Sequence, residues 1–495
     1  MAKNDTVLLF NVGPKRTSGY MPIAILSIAN FLIKGGFKAR IIDTRILSDE
    51  EVNNELELKD VLFAAFGVKT GKEIHYALEL SKKIKSVKGV PIVWGGSHPS
   101  FLPEQTAESK HVDIVVRGEA EGTMLELAQR FAENKPIDDV RGITFKRDGK
   151  IVSNPDRPFV DINEFGNLPY HLLKLDRYPT KDWFVYETSR GCPYKCTFCH
   201  NLIYNKMSYR KKSSEVILNE LEYITKTFGP KRILIPDDNF FVNKKRVEEV
   251  CNGIIERNLK VQWLGLCRAE YFKDYDEAFL ELLKKSGFTS FGMGGESGSD
   301  RILEMIKKEG TVEDIRISAK KCSAAGIEAI YSFMWGFPGE TEEDFQKTVN
   351  LIQELWKMKH IKVNGFMMLN PYPGTPLYDV CVEEGYIERK SLEEWIDFEW
   401  SLENEAKRLV WIDERFKKRA VFLGEIVRYV AYRNWLNEWS GGKKFGIKYL
   451  LINLWKLADL FLYNSFMYRI RTSNFRLPLD LKSWVFVRDK YIGGY

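Results

Sequence analysis

Apolar runs and amphipathic segments alternate along the first 135 residues. Short apolar runs predict buried strands at 6–12, 39–43, 61–68, 91–96 and 112–118. Between these runs, apolar residues recur at helical spacing, which predicts helices over 21–36, 72–85 and 119–133. Strands that alternate with helices indicate a parallel sheet covered by helices. We therefore predict an α/β, Rossmann-like domain over residues 1–135.

The pattern changes between residues 136 and 180. Short extended runs at 142–145 and 150–153 flank Asp148-Gly149, a dipeptide typical of hairpin turns. Residues 157–178 are punctuated by proline and lack periodicity. This stretch predicts a hairpin followed by an irregular linker between two domains.

Strands and helices alternate again over residues 181–400. The predicted strands are 184–188, 232–236, 262–267, 289–293, 328–335 and 362–369. The predicted helices are 214–227, 245–257, 277–285, 312–325 and 342–357. Thr341 suits the N-cap of the last helix, with acidic residues in its first turn. These β/α units place ligands at the carboxyl ends of the strands.

Residues 401–495 differ in charge from the rest of the chain. They hold 18 Lys/Arg and 9 Asp/Glu, whereas the whole chain carries only +6. Trp435, Trp439, Trp455 and Trp484 are among the aromatic residues here, and 448–468 has a helical pattern. We expect a mostly helical domain. Three roles stay open: a cap on the preceding domain, a surface that meets anionic membrane or a lipid-like substrate, or a site for a polypeptide partner.

Three of the seven cysteines form one cluster, Cys192, Cys196 and Cys199, with CxxxCxxC spacing. Three thiolates on a short loop can hold three irons of a 4Fe–4S cluster and leave the fourth iron open. The alternative is a zinc knuckle with His200 as fourth ligand, although zinc sites usually show paired CxxC spacing. Reduced thiolates require a reducing compartment. No signal-peptide core or apolar run of about 18 residues is evident, so we expect a cytoplasmic protein.

This spacing, with Phe198 before the last cysteine, resembles the signature loop of radical S-adenosylmethionine (SAM) enzymes. The resemblance implies a partial (β/α)6 TIM barrel over residues 181–400. Residues 291–299 resemble the family's Gly-x-Glu-Ser-Gly-Ser element, and 336–341 match its Gly-x-Pro-Gly-Glu-Thr. Residues 236–240 and 370–376 also resemble family loops. The SAM-binding residues implied by the resemblance are Phe198, Arg268, Gly294, Gly295, Glu296 and Ser297.

For Glu296 the resemblance implies an acceptor for the SAM amino group or ribose, and Arg268 could pair with the SAM carboxylate. The simpler alternative is that Arg268 and Glu296 pair with each other or with nearby charges. We assign no catalytic residue beyond the cofactors.

The N-terminal domain lacks a GxGxxG after its first strand, which disfavours a dinucleotide. Its Gly95–Glu104 and Arg117–Glu121 stretches resemble the cobalamin-binding domain of cobalamin-dependent radical SAM enzymes, of the class B methylase-like group. The cobalamin-binding residues so implied are Asn11, Thr70, Gly71, Gly95, Gly96, Ser97, His98, Gly118 and Glu119. The Asp-x-His-x-x-Gly motif that supplies a cobalt ligand elsewhere is absent. His98 therefore has three open roles: a hydrogen-bonding loop residue, a neighbour of the corrin, or a ligand.

The resemblance implies three cofactors: a 4Fe–4S cluster, SAM and cobalamin. It also implies methylation of an unactivated carbon, with an electron donor such as flavodoxin or ferredoxin. A non-methylating radical oxidase or cyclase acting on a tetrapyrrole or lipid, and a corrinoid carrier without catalysis, stay open. A methylthiotransferase is disfavoured because no cysteine precedes Cys192. The substrate, whether lipid, tetrapyrrole, small metabolite or peptide, is not identified, and no nucleic acid partner is expected.

Overall fold

The structure is a computed structural model that describes residues 5–15, 19–178, 182–398, 402–440 and 469. The predicted helix at 448–468, Trp455 and Trp484 lie outside the described residues, as do the side chains of Trp435 and Trp439. The chain divides into two compact units. The first comprises Met1–Cys267, Asp276–Thr289 and Asn370–Glu405, and the second comprises Arg268–Tyr275, Ser290–Leu369 and Ala406–Tyr495. The domain boundaries after residues 135, 180 and 400 stay predictions.

A seven-stranded sheet forms the N-terminal part of the first unit. Its strands are β1 (Thr6–Asn11), β2 (Lys38–Asp43), β3 (Val61–Gly67), β4 (Ile92–Gly95), β5 (Ile114–Val116), β6 (Ile143–Arg147) and β7 (Lys150–Ser153). The order is β2-β1-β3-β4-β5-β6-β7. Strands β1 to β5 pair in parallel, which confirms the predicted fold, and the predicted hairpin β6–β7 extends the same sheet antiparallel to β5.

The α-helices among the described residues of this part are α1 (Ile23–Lys34), α2 (Asp49–Leu56), α3 (Lys72–Lys88), α4 (Ser97–Phe101), α5 (Pro103–Glu108) and α6 (Glu121–Ala132). Helices α1 and α6 bury Ile25, Ala29, Met124 and Leu127 against the sheet. Burial of such apolar faces drives the packing of helix on sheet. The predicted irregular stretch after the hairpin contains only short 3-10 turns among its described residues.

The rest of the first unit begins with a parallel set of strands. Its elements are β8 (Trp183–Val185), β9 (Ser189–Arg190), α7 (Asn201–Tyr204), β10 (Arg210–Lys211), α8 (Ser214–Phe228), β11 (Arg232–Ile235), α9 (Lys244–Glu256), β12 (Gln262–Cys267) and α10 (Glu277–Lys285). Strands β8, β11 and β12 are parallel neighbours in that order. Strands β9 and β10 form a short antiparallel pair.

The second unit repeats the alternation with β13 (Phe288–Glu296), α11 (Asp300–Met305), α12 (Val312–Ala325), β14 (Glu328–Trp335), α13 (Glu342–Leu355) and β15 (Ile361–Met368). Strands β13, β14 and β15 are parallel neighbours. The predicted N-cap at Thr341 is confirmed: its side chain accepts from the backbone N–H of Asp344, whose carboxylate accepts from Thr341 in return. Such a capping box satisfies backbone donors that the first turn leaves open.

The next helices along the described part of the chain are α14 (Pro376–Glu383), α15 (Leu402–Arg408) and α16 (Glu414–Ser440). Helix α16 contacts β15 closely, since a Cβ added at Gly424 would lie 3.0 Å from the carbonyl oxygen of Phe366. The C-terminal segment is therefore helical as far as residue 440, as predicted. None of the helices in the described residues combines the length and the apolar character that crossing a membrane requires.

Candidate functional site

The three cysteines lie on the loop between β9 and α7, and Asp237 supports the start of that loop. Its carboxylate accepts hydrogen bonds from the Thr188 N–H (2.8 Å), the Thr188 hydroxyl (2.5 Å) and the Ser189 hydroxyl (2.5 Å). Burial is the main influence on the pKa of Asp237 and raises it. Three donors around one buried carboxylate fix the backbone immediately before the cysteines.

Gly191 starts the turn into the loop. Its φ is +84°, and a Cβ added there would overlap the carbonyl oxygen of Ser208. Only glycine fits such a position without moving the backbone. The Gly191 N–H also donates to the Asp238 carboxylate (3.1 Å). The β9–β10 pair closes the segment, so the backbone at the start of the cysteine loop has few other conformations available.

The thiols differ in exposure. Cys196 is buried, whereas Cys192 and Cys199 are half-buried. The amide of Asn239 contacts the Cys192 sulfur at 3.8 Å. Burial raises the pKa of Cys199 to about 11. Three cysteine thiols on one short loop are the donor set that a 4Fe–4S cluster with an open iron requires, so these residues fit such a cluster.

The alternative ligand His200 lies among aromatic rings. Its ring centroid is 6.3 Å from that of Phe101 and 6.2 Å from that of Tyr372. Within the described ranges, no group of three or more His, Cys, Asp or Glu residues is placed to hold a single metal ion. The backbone N–H of Leu377 donates to the Thr197 carbonyl (3.1 Å), so the start of α14 packs on the cysteine loop.

A cavity of about 270 Å³ lies within the first unit, beside the cysteine loop. Glycines at the ends of β3, β4 and β5 form one wall, namely Gly67, Gly95, Gly96 and Gly118, next to Glu119. The lining also includes Glu187, Arg190, His200, Tyr204 and Asp238, which come from the segments around the cysteine loop. A Cβ added at Gly118 would meet no atom within 4 Å, so the wall is open at that point. Small-molecule pockets start at about 300 Å³, so this cavity could receive only part of a molecule as large as cobalamin.

The predicted cobalamin residues fall into two groups. Gly95, Gly96, Gly118 and Glu119 line the cavity, whereas Asn11, Thr70, Gly71, Ser97 and His98 do not. The Asn11 amide donates to Asp43 (3.0 Å). Gly71 precedes α3, and Ser97 begins α4.

His98 is buried, with 1% of its surface exposed. Its Nδ1 lies 3.3 Å from the Thr70 hydroxyl, and its Nε2 has no hydrogen-bond partner among the residues that the structure describes. The Trp395 ring covers it at a centroid distance of 5.7 Å. Burial lowers the pKa of His98 to about 3, so the ring is neutral at pH 7.

This burial makes a prediction about pH. The folded-state pKa of His98 is about 3, and its unfolded value is about 6.5. At a pH between these two pKa values, the unfolded chain therefore binds one more proton than the folded chain. The free energy of unfolding should therefore fall as the pH drops below about 6.5, by about 2 kcal/mol at pH 5. His98→Gln should flatten this dependence in urea unfolding at pH 7 and pH 5. The exposed His171→Gln serves as control, and equal slopes for both variants would contradict the assignment.

An ion network that the sequence did not predict joins two chain segments that line the cavity. Arg190 contacts Glu121 (2.8 Å), Glu187 (2.8 Å) and Glu119 (3.4 Å). Arg210 donates to both oxygens of Glu119 (2.8 and 2.5 Å). Glu119 and Glu121 belong to the Arg117–Glu121 stretch, but their pairing with Arg190 and Arg210 depends on contacts between distant parts of the chain.

The predicted SAM loop lies in the second unit, at the end of β13. Glu296 has a φ of +59°, and its carboxylate contacts the Lys308 ammonium at 2.8 Å. Arg268 donates to Glu270 and to the Lys308 carbonyl. Glu296 and Arg268, the two predicted SAM contacts, thus each have a protein partner. The simpler alternative expected such pairing with nearby charges, and Lys308 contacts both residues.

The glycines of this loop permit close packing. A Cβ at Gly295 would lie 2.7 Å from the Phe333 ring, and one at Gly294 would overlap the Glu296 side chain. The Ser297 hydroxyl lies 3.2 Å from that of Thr348 on α13. Gly294, Gly295, Glu296 and Ser297 are therefore adjacent, whereas the half-buried Phe198 belongs to the cysteine loop of the first unit.

Comparison with known proteins identifies two family matches in the chain. The Radical SAM superfamily matches residues 186–352, and the B12 binding domain matches residues 13–128. An uncharacterized methyltransferase of Pyrococcus horikoshii is 32% identical over 318 residues, which are 63% of this chain and 68% of the relative. The anaerobic magnesium-protoporphyrin IX monomethyl ester cyclase of Rubrivivax gelatinosus is 25% identical over 380 residues, covering 74% of this chain and 67% of the cyclase.

A solved structure shares the fold. It is that of the radical S-adenosylmethionine methyltransferase TsrM of Kitasatospora setae with cobalamin and a 4Fe–4S cluster bound. The TM-score is 0.68 at 18% identity, over 77% of this chain and 75% of TsrM. The cofactors of the present chain are accordingly a 4Fe–4S cluster, SAM and cobalamin. The chain belongs to the cobalamin-dependent, methylase-like family of radical SAM enzymes.

Proposed function

We propose that this enzyme transfers a methyl group to an unactivated carbon of its substrate under anaerobic conditions. The observation that carries the proposal is that one cavity is bounded both by the strand ends of the B12-binding domain and by residues flanking the cysteine loop. A substrate carbon in that cavity would lie near both the strand ends and the segments that flank the cysteine loop. Fixing reacting groups in this way removes much of the entropic barrier to their encounter.

In this proposal Cys192, Cys196 and Cys199 hold the cluster, and the loop at Gly294–Ser297, with Arg268 and Phe198, holds SAM. Gly95, Gly96, Gly118 and Glu119 would form a wall against which cobalamin could bind. When bound, the cluster and SAM supply a carbon-centred radical, and cobalamin supplies the methyl group. The protein residues position the cluster and exclude water. Asp237 and Gly191 fix the cysteine loop, and the apolar lining residues Ile25, Ile28, Phe66 and Met124 keep water from the cavity.

Methyl transfer can be tested directly. The anaerobically purified enzyme is incubated with reductant, cobalamin and SAM carrying a deuterated methyl group, together with lipid, tetrapyrrole or peptide candidates. We expect a product that gains the labelled methyl group and an accompanying yield of 5′-deoxyadenosine. Consumption of a substrate without label in the product would reject the proposal.

A second candidate function is radical oxidation or ring closure without methyl transfer. The similarity to the anaerobic ester cyclase favours it. In that case the same assay gives deoxyadenosine and an oxidised, unlabelled product. A corrinoid carrier without catalysis would contain cobalamin and no iron after anaerobic purification.

Family membership implies a reductant and a substrate. We propose a flavodoxin or ferredoxin as reductant and a cytoplasmic location. Membrane contact through the C-terminal domain stays a prediction, because most of the residues that suggested it lie outside the described ranges.

Glu296→Gln should weaken SAM binding. The substitution removes the carboxylate that would accept a hydrogen bond from the SAM amino group. Hydrogen bonds to charged groups contribute about 1.5–3 kcal/mol. Loss of this contribution corresponds to at least about a tenfold increase in the dissociation constant. Equilibrium binding of SAM to the reconstituted enzyme measures this change. Glu313→Gln, on the exposed face of α12, should leave the constant unchanged. Equal affinities for both variants would remove Glu296 from the SAM site.

A further inference from the structure

The ion network around Arg190 joins two chain segments. One should contact cobalamin, and the other leads into the cysteine loop that should hold the cluster. Glu119 and Glu121 lie between β5 and the start of α6, at the strand ends of the B12-binding domain. Arg190 belongs to β9, two residues before Cys192, and Arg210 belongs to the partner strand β10. The network therefore connects the cobalamin side of the cavity with the base of the cysteine loop.

The contacts are extensive for so few residues. Arg190 reaches Glu119, Glu121 and Glu187, and Glu121 also accepts from the Ser27 hydroxyl of α1 (2.7 Å). Arg210 engages Glu119 through two nitrogens, a bidentate geometry that fixes orientation as well as distance.

Aromatic rings from the linker support both guanidinium groups. Arg190 lies 4.7 Å from the Phe165 ring centroid, and Arg210 lies 3.8 Å from that of Phe159. Planar guanidinium groups stack on aromatic faces in a way that lysine cannot reproduce. The Tyr204 hydroxyl adds a further tie by donating to the Gly118 carbonyl (2.9 Å).

Energetics argue that this network has a role other than stability. Taking several charges out of water costs several kcal/mol per ion, and mutual attraction often only offsets that cost. In some proteins such a network instead specifies one arrangement of the parts that it joins.

We propose that Arg190 and Arg210 form a clamp on Glu119 and Glu121 that fixes the spacing between the cobalamin-binding strand ends and the cysteine loop. These arginines are positioning residues, since they act through the loops that they hold. The proposal rests on the proposed methyl transfer, because that reaction requires both cofactors to face one cavity. A loosened clamp should slow transfer between the cofactors while leaving each one bound.

The test uses Arg190→Lys and Arg210→Lys in the full-length chain, with Arg257→Lys as matched control. Arg257 forms ion pairs with Glu215 and Glu222 between α8 and α9, and none of these residues lines the cavity. Lysine keeps the charge in every variant, so folding should be retained. Iron content and bound cobalamin are measured first and should stay within about twofold of the wild type, since the clamp variants alter neither the cysteines nor the glycine wall.

The first readout needs no cofactor. Hydrogen–deuterium exchange of the apoprotein should show faster exchange at 114–121 and 187–191 in both clamp variants, and no change there in Arg257→Lys. Exchange reports local opening directly. Unchanged exchange in the clamp variants would overturn the proposal.

The second readout compares two rates under reducing conditions. One is the rate at which cobalamin acquires a methyl group from SAM, which is followed by absorbance. The other is the rate of 5′-deoxyadenosine formation. Misplacement by 1 Å can lower a rate about a hundredfold, so we expect methyl uptake to fall about that much while deoxyadenosine formation changes less than about threefold. Parallel loss of both rates would also overturn the clamp. If the wild-type enzyme shows no methyl uptake, the proposed function fails, whereas the exchange comparison still decides whether the clamp exists.

Discussion

Cys196→Ala should abolish both the iron–sulfur cluster and the cleavage of SAM, while cobalamin binding is largely kept. Cys196 is the buried member of the three cysteines and lies in the middle of their loop. With it removed, two cysteines of the motif remain, and a 4Fe–4S cluster that offers an open iron to SAM needs three. We expect less than about a tenth of the wild-type iron after anaerobic reconstitution and no deoxyadenosine above background.

Cys251→Ala is the matched control for this result. Cys251 is also fully buried, but it lies on α9 and its thiol belongs to the core. Its loss should cost about 1 kcal/mol of stability and leave the iron content intact. Normal deoxyadenosine formation by Cys196→Ala would refute the assignment of the cysteine loop, whereas loss of cobalamin as well would indicate general misfolding.

Gly191→Ala should prevent the cysteine loop from adopting its structure. The new Cβ would overlap the carbonyl oxygen of Ser208, and φ at this position is +84°. Backbone strain alone costs about 1–2 kcal/mol for a residue with a Cβ, and the overlap adds a displacement of the β9–β10 pair. We expect cluster content to fall below about a fifth of the wild-type value, because ligand geometry tolerates little displacement.

Gly229→Ala separates strain from overlap. Gly229 has a φ of +56° at the end of α8, and an added Cβ meets no atom within 4 Å. This control should lose about 1 kcal/mol of stability and keep its cluster. Iron analysis and the absorbance of the reconstituted proteins measure both effects. Equal iron in the two variants would show that the overlap at Gly191 is relieved without consequence for the loop.

Local sequence signals predicted several elements to the residue. The bounds of β12, α10, α12 and β14 are those expected from periodicity, because each helix also has a cap: Asp276 starts α10 and Thr311 starts α12. The strong apolar period and the capping side chains act within a few residues, which is the range that sequence patterns describe.

Short helices were not predicted. Helices α4 and α5 follow β4 within a stretch of glycines and prolines, and α14 starts at Pro376 behind a proline-rich loop. Such segments are too short to form alone. They depend on tertiary contacts, such as the hydrogen bond from Trp395 to Gln105 (2.9 Å) that holds α5.

The sequence by itself determined the family, the cysteine loop and the alternation of strands and helices, since spacing along the chain encodes each of them. It could not determine which charges face the cavity. Ser27 and Glu121 lie 94 positions apart, yet they bind each other beside Arg190. It also could not divide the implied cobalamin residues into those that line the cavity and those that do not, such as His98, whose ring packs against Trp395. Only the packing of distant segments decides these contacts, because burial and pairing arise when the sheet, the linker and the cysteine loop meet.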